Sequence, residues 1–174
     1  MMRSGWFAIS GLALGMSVAV AQGPKEIKVA VKTSSGQDAG TATFKTVKKG
    51  VKVKLELKNL PFGPHGVHIH QNASCEAPDF KSAGGHFNPD GKKHGYMSDM
   101  GHHNGDFPAS VDIGEDHNGT ATFVLNSISL DPAAPNSLFA NGGTSIVVHE
   151  KADDEKTDPS GNSGNRIACG VIKN

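Results

Sequence analysis

From Glu26 onward the chain alternates apolar and polar residues with a period of two. Ile27, Val29 and Val31 alternate with Lys28, Ala30 and Lys32. After the turn cluster Ser34 to Gly40, Thr41 to Val47 reads as a second strand. Lys48-Lys49-Gly50 is a tight turn, and Val51, Val53, Leu55 and Leu57 then alternate with Lys52, Lys54, Glu56 and Lys58. Only a strand puts successive side chains on opposite faces, so three such runs at hairpin spacing predict an antiparallel sheet with one wet face. His65 to His70 reads as a fourth strand, and Ala109–Ile113, Thr120–Leu125, Thr144–His149 and Ala168–Ile172 are later candidates. Asp116-His117-Asn118-Gly119 has the composition of a hairpin turn. No stretch carries a helical stripe. Seven or eight short strands with Gly-rich turns predict an all-β sandwich or small Greek-key barrel.

Two segments exceed what a minimal sandwich needs. Residues 71–107 form 37 positions without a clear element, well beyond the usual loop ceiling of about 12–15. Residues 150–165 form a second loop, polar and rich in Gly, Asp and Ser, that leads to Arg166. Long loops in a compact domain are commonly functional. One domain suits 174 residues. Seventeen Lys+Arg balance seventeen Asp+Glu, which argues against nucleic acid as the main partner, because phosphate neutralisation needs a basic face.

The N-terminus reads as an address. Arg3 precedes the apolar run Trp6 to Val18, and Ala19-Val20-Ala21 is a small-residue cleavage site. The run is short for a membrane span, which needs about 20 apolar residues. The expected organisation is a signal peptide over residues 1–21 and one exported domain over 22–174, periplasmic or secreted, with no membrane anchor after cleavage. Cys75 and Cys169 are the only cysteines, so in an oxidising compartment a disulfide between them is the default.

The nine histidines all lie between His65 and His149. In a strand, His68 and His70 share a face and can reach one ion, and His149, ending another strand, can add a third imidazole. In the long loop, His86, His94 and one of His102 and His103 can join Asp106 in a three-nitrogen, one-oxygen set that suits tetrahedral zinc. Imidazole-rich sites without thiolates suit copper or zinc, and spacing does not choose between them. His65 points away from the His68/His70 face and is expected to be structural; His117 is expected in a solvated turn. Met97 and Met100 near His102 suggest a copper-capturing loop or ordinary loop packing, and packing is the expected explanation.

His65-Gly66-Val67-His68-Ile69-His70 resembles the first signature of the copper/zinc superoxide dismutases. Gly85-His86-Phe87-Asn88-Pro89 with Lys93-His94-Gly95 is similar to the second, and His103-Asn104-Gly105-Asp106 to their zinc element. Val147 to Asp154 and Gly161 to Ile172 resemble the segments carrying the last copper ligand and the C-terminal signature. The likeness spans nearly all of the chain after the leader. It implies an eight-stranded antiparallel Greek-key barrel or sandwich with two long functional loops. It also implies an enzyme, a superoxide dismutase that converts superoxide to dioxygen and hydrogen peroxide by alternate reduction and reoxidation of a copper ion. By this resemblance His68, His70, His86 and His149 bind copper, and His86, His94, His103 and Asp106 bind zinc, with His86 as the bridge. Arg166 attracts the anion, Asp153 links a copper ligand to a zinc ligand, and Cys75 pairs with Cys169. Spacing within the zinc element favours His103 over His102. A homodimer is the candidate assembly; the segment 72–83, where several members make subunit contacts, resembles neither the eukaryotic nor the best-known periplasmic pattern closely and so does not argue for it. The rival reading is a copper or zinc buffer, or a metallochaperone-like domain, on the same scaffold without turnover.

Overall fold

The computed structural model describes residues 23–174. The expected signal peptide lies outside the described residues. Nine strands follow in chain order: β1 Glu26–Thr33, β2 Asp38–Val47, β3 Gly50–Lys58, β4 Gly63–His65, β5 Val67–His70, β6 Val111–Ile113, β7 Asn118–Leu125, β8 Thr144–His149 and β9 Arg166–Ile172. Seven form one sheet in the order β5-β8-β9-β1-β2-β3-β7, and β4 pairs with β6 in a short ladder. Each paired strand runs antiparallel to its neighbour. β4 leads directly into β5, and β6 turns into β7. The β4–β6 ladder therefore links the two edges of the long sheet, and the curled sheet becomes a barrel-like shell.

The period-two reading holds residue by residue in β3. Val51, Val53, Leu55 and Leu57 are buried, and Lys52, Lys54, Glu56 and Lys58 are exposed. The four buried residues pack with Phe44, Ile69, Phe107, Ile113, Leu125, Ile146 and Ile172 in one core. Lys48 and Lys49 form the two-residue connection closed by the Val47–Gly50 pair.

Two local expectations need correction. His65 to His70 is not one strand: it breaks at Gly66 into β4 and β5, which belong to different ladders. Gly66 donates to the Lys151 carbonyl (2.8 Å) and accepts from the His149 amide (2.8 Å), so its backbone serves the 150–165 loop and β8 instead of β6. The β6–β7 turn also sits earlier than Asp116–Gly119, because the Gly114 amide donates to Asn118 O (2.8 Å) and β7 already begins at Asn118. His117 is the exposed left-handed corner of that turn, at φ 62°.

Candidate metal centre

The 71–107 segment reaches the site by pairing with β5. Ile69 donates to Gly105 O, Phe87 donates to Ile69 O, and Gly105 donates to Phe87 O, each at 2.8 Å. Bridges His70–His86 and His68–Asp106 result, one on each arm of the loop. A Cβ on Gly105 would lie 2.4 Å from Ile69 O, so only glycine permits this approach. One apolar residue between two histidines thus fixes where His86 and Asp106 stand. The disulfide Cys75–Cys169 ties the start of the same loop to β9.

Four imidazoles, His68, His70, His86 and His149, bring ring nitrogens within 4.8 Å of one another. His70 Nδ1–H donates to Gly84 O (2.9 Å) and His149 Nδ1–H to Gly164 O (3.3 Å). Their Nε2 lone pairs therefore face each other at 3.3 Å. His68 Nε2–H donates to Asp153 Oδ2 (2.5 Å), and its buried Nδ1 has no partner. His86 Nε2 is likewise buried and unpartnered. Four imidazole nitrogens with no protons between them repel unless a cation joins them.

The other ring nitrogen of His86 belongs to a second cluster. Its Nδ1 lies 2.9 Å from Asp106 Oδ1, His94 Nδ1 lies 3.2 Å from that oxygen, and His103 Nδ1 lies 3.3 Å from both the oxygen and His86 Nδ1. Ligands at zinc distances in a tetrahedron are separated by about 3.3 Å. The spacing and the N₃O donor set both fit zinc. Proximity alone would also admit His68 to this cluster. Its Nε2 is already bonded to Asp153, whereas His103 offers a converging Nδ1.

Asp153 joins the two clusters. Its side chain is 2% exposed, and Oδ1 accepts from His94 Nε2–H at 2.9 Å while Oδ2 holds His68. Partners of this kind fix imidazole orientation and tautomer. Asp106 Oδ2 accepts from the Gly95 and His103 amides (2.9 and 3.0 Å), which orients Oδ1.

The electrostatics follow from burial and these pairings. Burial opposes charge on His86 and His149 and, with the neighbouring His68, lowers their pKa values to about 3 and about 2. Burial also opposes charge on His94, but the carboxylates of Asp106 and Asp153 outweigh it and raise the value to about 10. Burial works against the charged form of Asp106 as well, yet His103, His86 and His94 hold it well below the usual carboxylate range. The first cluster thus holds neutral imidazoles, whereas the second pairs a stabilised carboxylate with a protonated His94, whose Nδ1 proton a metal ion must displace.

Arg166 pairs with His149 across β8 and β9. Its Nη1 donates to Phe80 O (2.7 Å) and Nη2 to Gly84 O (2.6 Å), the carbonyl that also orients His70. The guanidinium lines a surface cleft of about 400 Å³ with Pro78, Asp79, Lys81, Gly164 and Asn165.

The remaining histidines fall outside both clusters. His65 is buried and its nitrogens lie against His149 O (2.7 Å) and Pro61 O (2.8 Å), a structural brace under a site residue. His117 lies against Leu60 O (2.8 Å). His102 turns away from the clusters and stacks on Tyr96, with ring centroids 3.8 Å apart.

Sequence reasoning missed two supports. Gly161, at φ +64°, lies so close to Asp153 and His94 Nε2 that a Cβ there would collide with both. Glu155 is buried beneath Tyr96, and burial with the nearby Asp153 pushes its carboxyl up to about 7. The glycine between Ser160 and Asn162 was a readable signal; nothing marked Glu155 as buried.

An all-β shell carrying two imidazole sites that share one histidine defines a binuclear metalloprotein. Residues 38–172 match the family described as copper/zinc superoxide dismutase (SODC). The chain is 42% identical over 173 residues to "Superoxide dismutase [Cu-Zn] 1" of Aquifex aeolicus, covering 97% of this chain and 98% of that one. A crystal structure of a SOD-like protein from Bacillus subtilis superposes with a TM-score of 0.79 at 36% identity, covering 83% of this chain and 97% of that one. The Cu/Zn superoxide dismutase from Brucella abortus gives 0.68 at 27% identity, covering 85% and 99%. The chain belongs to the copper/zinc superoxide dismutase family.

Proposed function

We propose that this chain dismutates superoxide at the paired clusters, with copper held by His68, His70, His86 and His149 and zinc by His86, His94, His103 and Asp106. The observation that carries the assignment is His86. One ring nitrogen stands in the N₃O cluster, and the other is buried, unpartnered and grouped with three further imidazoles. When bound, copper supplies a one-electron couple that oxidises one superoxide to dioxygen and reduces a second to hydrogen peroxide, and zinc supplies a fixed charge.

The chain's own residues do the rest. Arg166 places a permanent cation next to His70, with which it shares the Gly84 carbonyl, and the Phe80 and Gly84 carbonyls aim it. Focusing by a charged cleft can raise association of a small anion by about 10–1,000-fold. His86 Nε2 is the atom that can hold a proton between the half-reactions and hand it to the departing peroxide. Asp153 keeps His68 and His94 in the tautomers that direct Nδ1 to the metals.

We infer an exported, periplasmic or secreted enzyme, cleaved near Ala21, from the leader pattern and from the disulfide. Among the described residues no helix is long and apolar enough to cross a membrane. The deciding experiment measures superoxide consumption by copper- and zinc-loaded protein beside a His149→Ala control. Catalytic consumption that is lost in the control supports the reading. Metal uptake without turnover would establish the buffer alternative, and full activity in the control would refute the copper assignment.

A further inference from the structure

Met97 and Met100 do not pack. Each is 71% exposed, so the expected explanation for these two residues fails. The chain's five methionines are Met1, Met2, Met16, Met97 and Met100. With the leader removed, the only two thioethers left stand three residues apart on the rim of the metal loop.

We propose that Met97, Met100 and His102 form a capture site for Cu(I), separate from the two clusters. Two consecutive turns present the methionines. The Ser98 amide donates to Gly95 O (3.1 Å), closing the first turn, and the Gly101 amide donates to Ser98 O (3.2 Å), closing the second. Met97 and Met100 occupy the third corner of each. The Met97 amide is anchored on Glu155 O (3.0 Å), so the segment is fixed where it leaves the protein. His102 supplies the nitrogen. Its Nδ1–H donates to His103 O (2.7 Å), which leaves the Nε2 lone pair unused on a half-exposed ring. A backbone carbonyl on the far nitrogen is the usual support of a metal-binding imidazole. Stacking on Tyr96, the residue before Met97, holds that ring against the methionine segment.

The donor set selects the ion. Thioethers are soft and neutral, and they favour Cu(I) over zinc or hard cations. Three-bond methionine side chains can close around an ion with little strain. Asp99, exposed between the methionines, adds a negative charge, and the nearby Lys92 amine is paired with Asp90 at 3.7 Å. Binding moves no electron and releases no proton: neutral sulfur and nitrogen lone pairs coordinate an ion that arrives and leaves as Cu(I).

The test uses reduced protein already loaded with copper and zinc, titrated anaerobically with Cu(I) against bicinchoninate and in parallel with Ag(I) as a redox-inert probe. The wild type takes one further equivalent, and the two methionine methyl NMR signals shift with it. Met97→Leu/Met100→Leu keeps the side-chain bulk at exposed positions and removes both sulfurs. It weakens the extra binding by more than about 100-fold, beyond what an outer partner contributes, and His102→Ala weakens it in the same direction. No further equivalent in the wild type, or an equivalent retained by the double variant, overturns the proposal. Because the readout is a difference between wild type and variant, failure of the superoxide assay leaves it legible, and loss of the extra equivalent leaves the catalytic reading intact.

Discussion

Asp153→Ala removes one buried carboxylate that two metal-site histidines share. The wild-type side chain accepts from His94 Nε2–H at 2.9 Å and from His68 Nε2–H, both fully buried rings. Hydrogen bonds to a charged group contribute about 1.5–3 kcal/mol each. The two rings do not lose equally. His68 lies in β5, fixed by the β5–β8 ladder on either side of it. His94 lies in a loop with no strand, and its other nitrogen faces only the Asp106 cluster. The loss therefore falls mainly on zinc, at about one such bond. That corresponds to roughly 10–100-fold weaker binding, the range expected when an imidazole loses its outer partner. Competition against a zinc chelator, with metal content read by mass spectrometry, measures it. Asp154→Ala is the control, since that exposed carboxylate bonds Thr157 and Asn162 within the same loop and touches neither ring. Zinc affinity within about threefold of wild type for Asp153→Ala, or an equal loss in Asp154→Ala, would refute the reasoning.

Other perturbations follow from the same geometry. Arg166→Ala should lower kcat/KM by about tenfold or more and flatten its ionic-strength dependence; stopped-flow kinetics at two salt concentrations check this. Cys75→Ser/Cys169→Ser opens a loop of 94 residues and should cost the metal-free chain about 4–5 kcal/mol in urea unfolding. Acid should destabilise the metal-free chain from about pH 6.5 downward. The folded values of His86 and His149, about 3 and about 2, lie below the ordinary imidazole value, so the unfolded chain binds more protons and stability drops as the pH is lowered. Glu155, raised to about 7, and His94, raised to about 10, act in the opposite sense, but His68 and His70 are lowered by burial as well, so four groups oppose two; unfolding midpoints at pH 7 and pH 5 give the sign. Gly161→Ala should displace Asp153 and His94 together and so reproduce the zinc loss of Asp153→Ala.

The residues of both clusters were legible because their determinants are local. Period two places His68 and His70 on one face, and the four zinc-type ligands fall within one short stretch of loop. The means of assembly was not legible. Ile69 reads as a core residue, and its side chain is one, but its backbone amide and carbonyl also anchor both arms of the loop. Such pairing depends on backbone groups, which every residue carries alike. The break at Gly66 escaped for a related reason. The pattern His-Gly-Val-His continues a strand by alternation, and only contact with the distant 150–165 loop divides it. Exposure of Met97 and Met100 was likewise invisible, because apolar residues in a loop read as packing until their surroundings are known.

The hold on Arg166 also sets an order of events in the life of the chain. Its guanidinium is aimed by Phe80 and Gly84, both in the loop that Cys75 pins to Cys169, three residues along β9. A newly made chain in a reducing compartment can carry every histidine it needs while this loop is still untethered and its cation unaimed. Oxidation of two thiols then fixes the loop whose carbonyls aim that cation. On the proposed function, the chain would reach full competence only where disulfides survive.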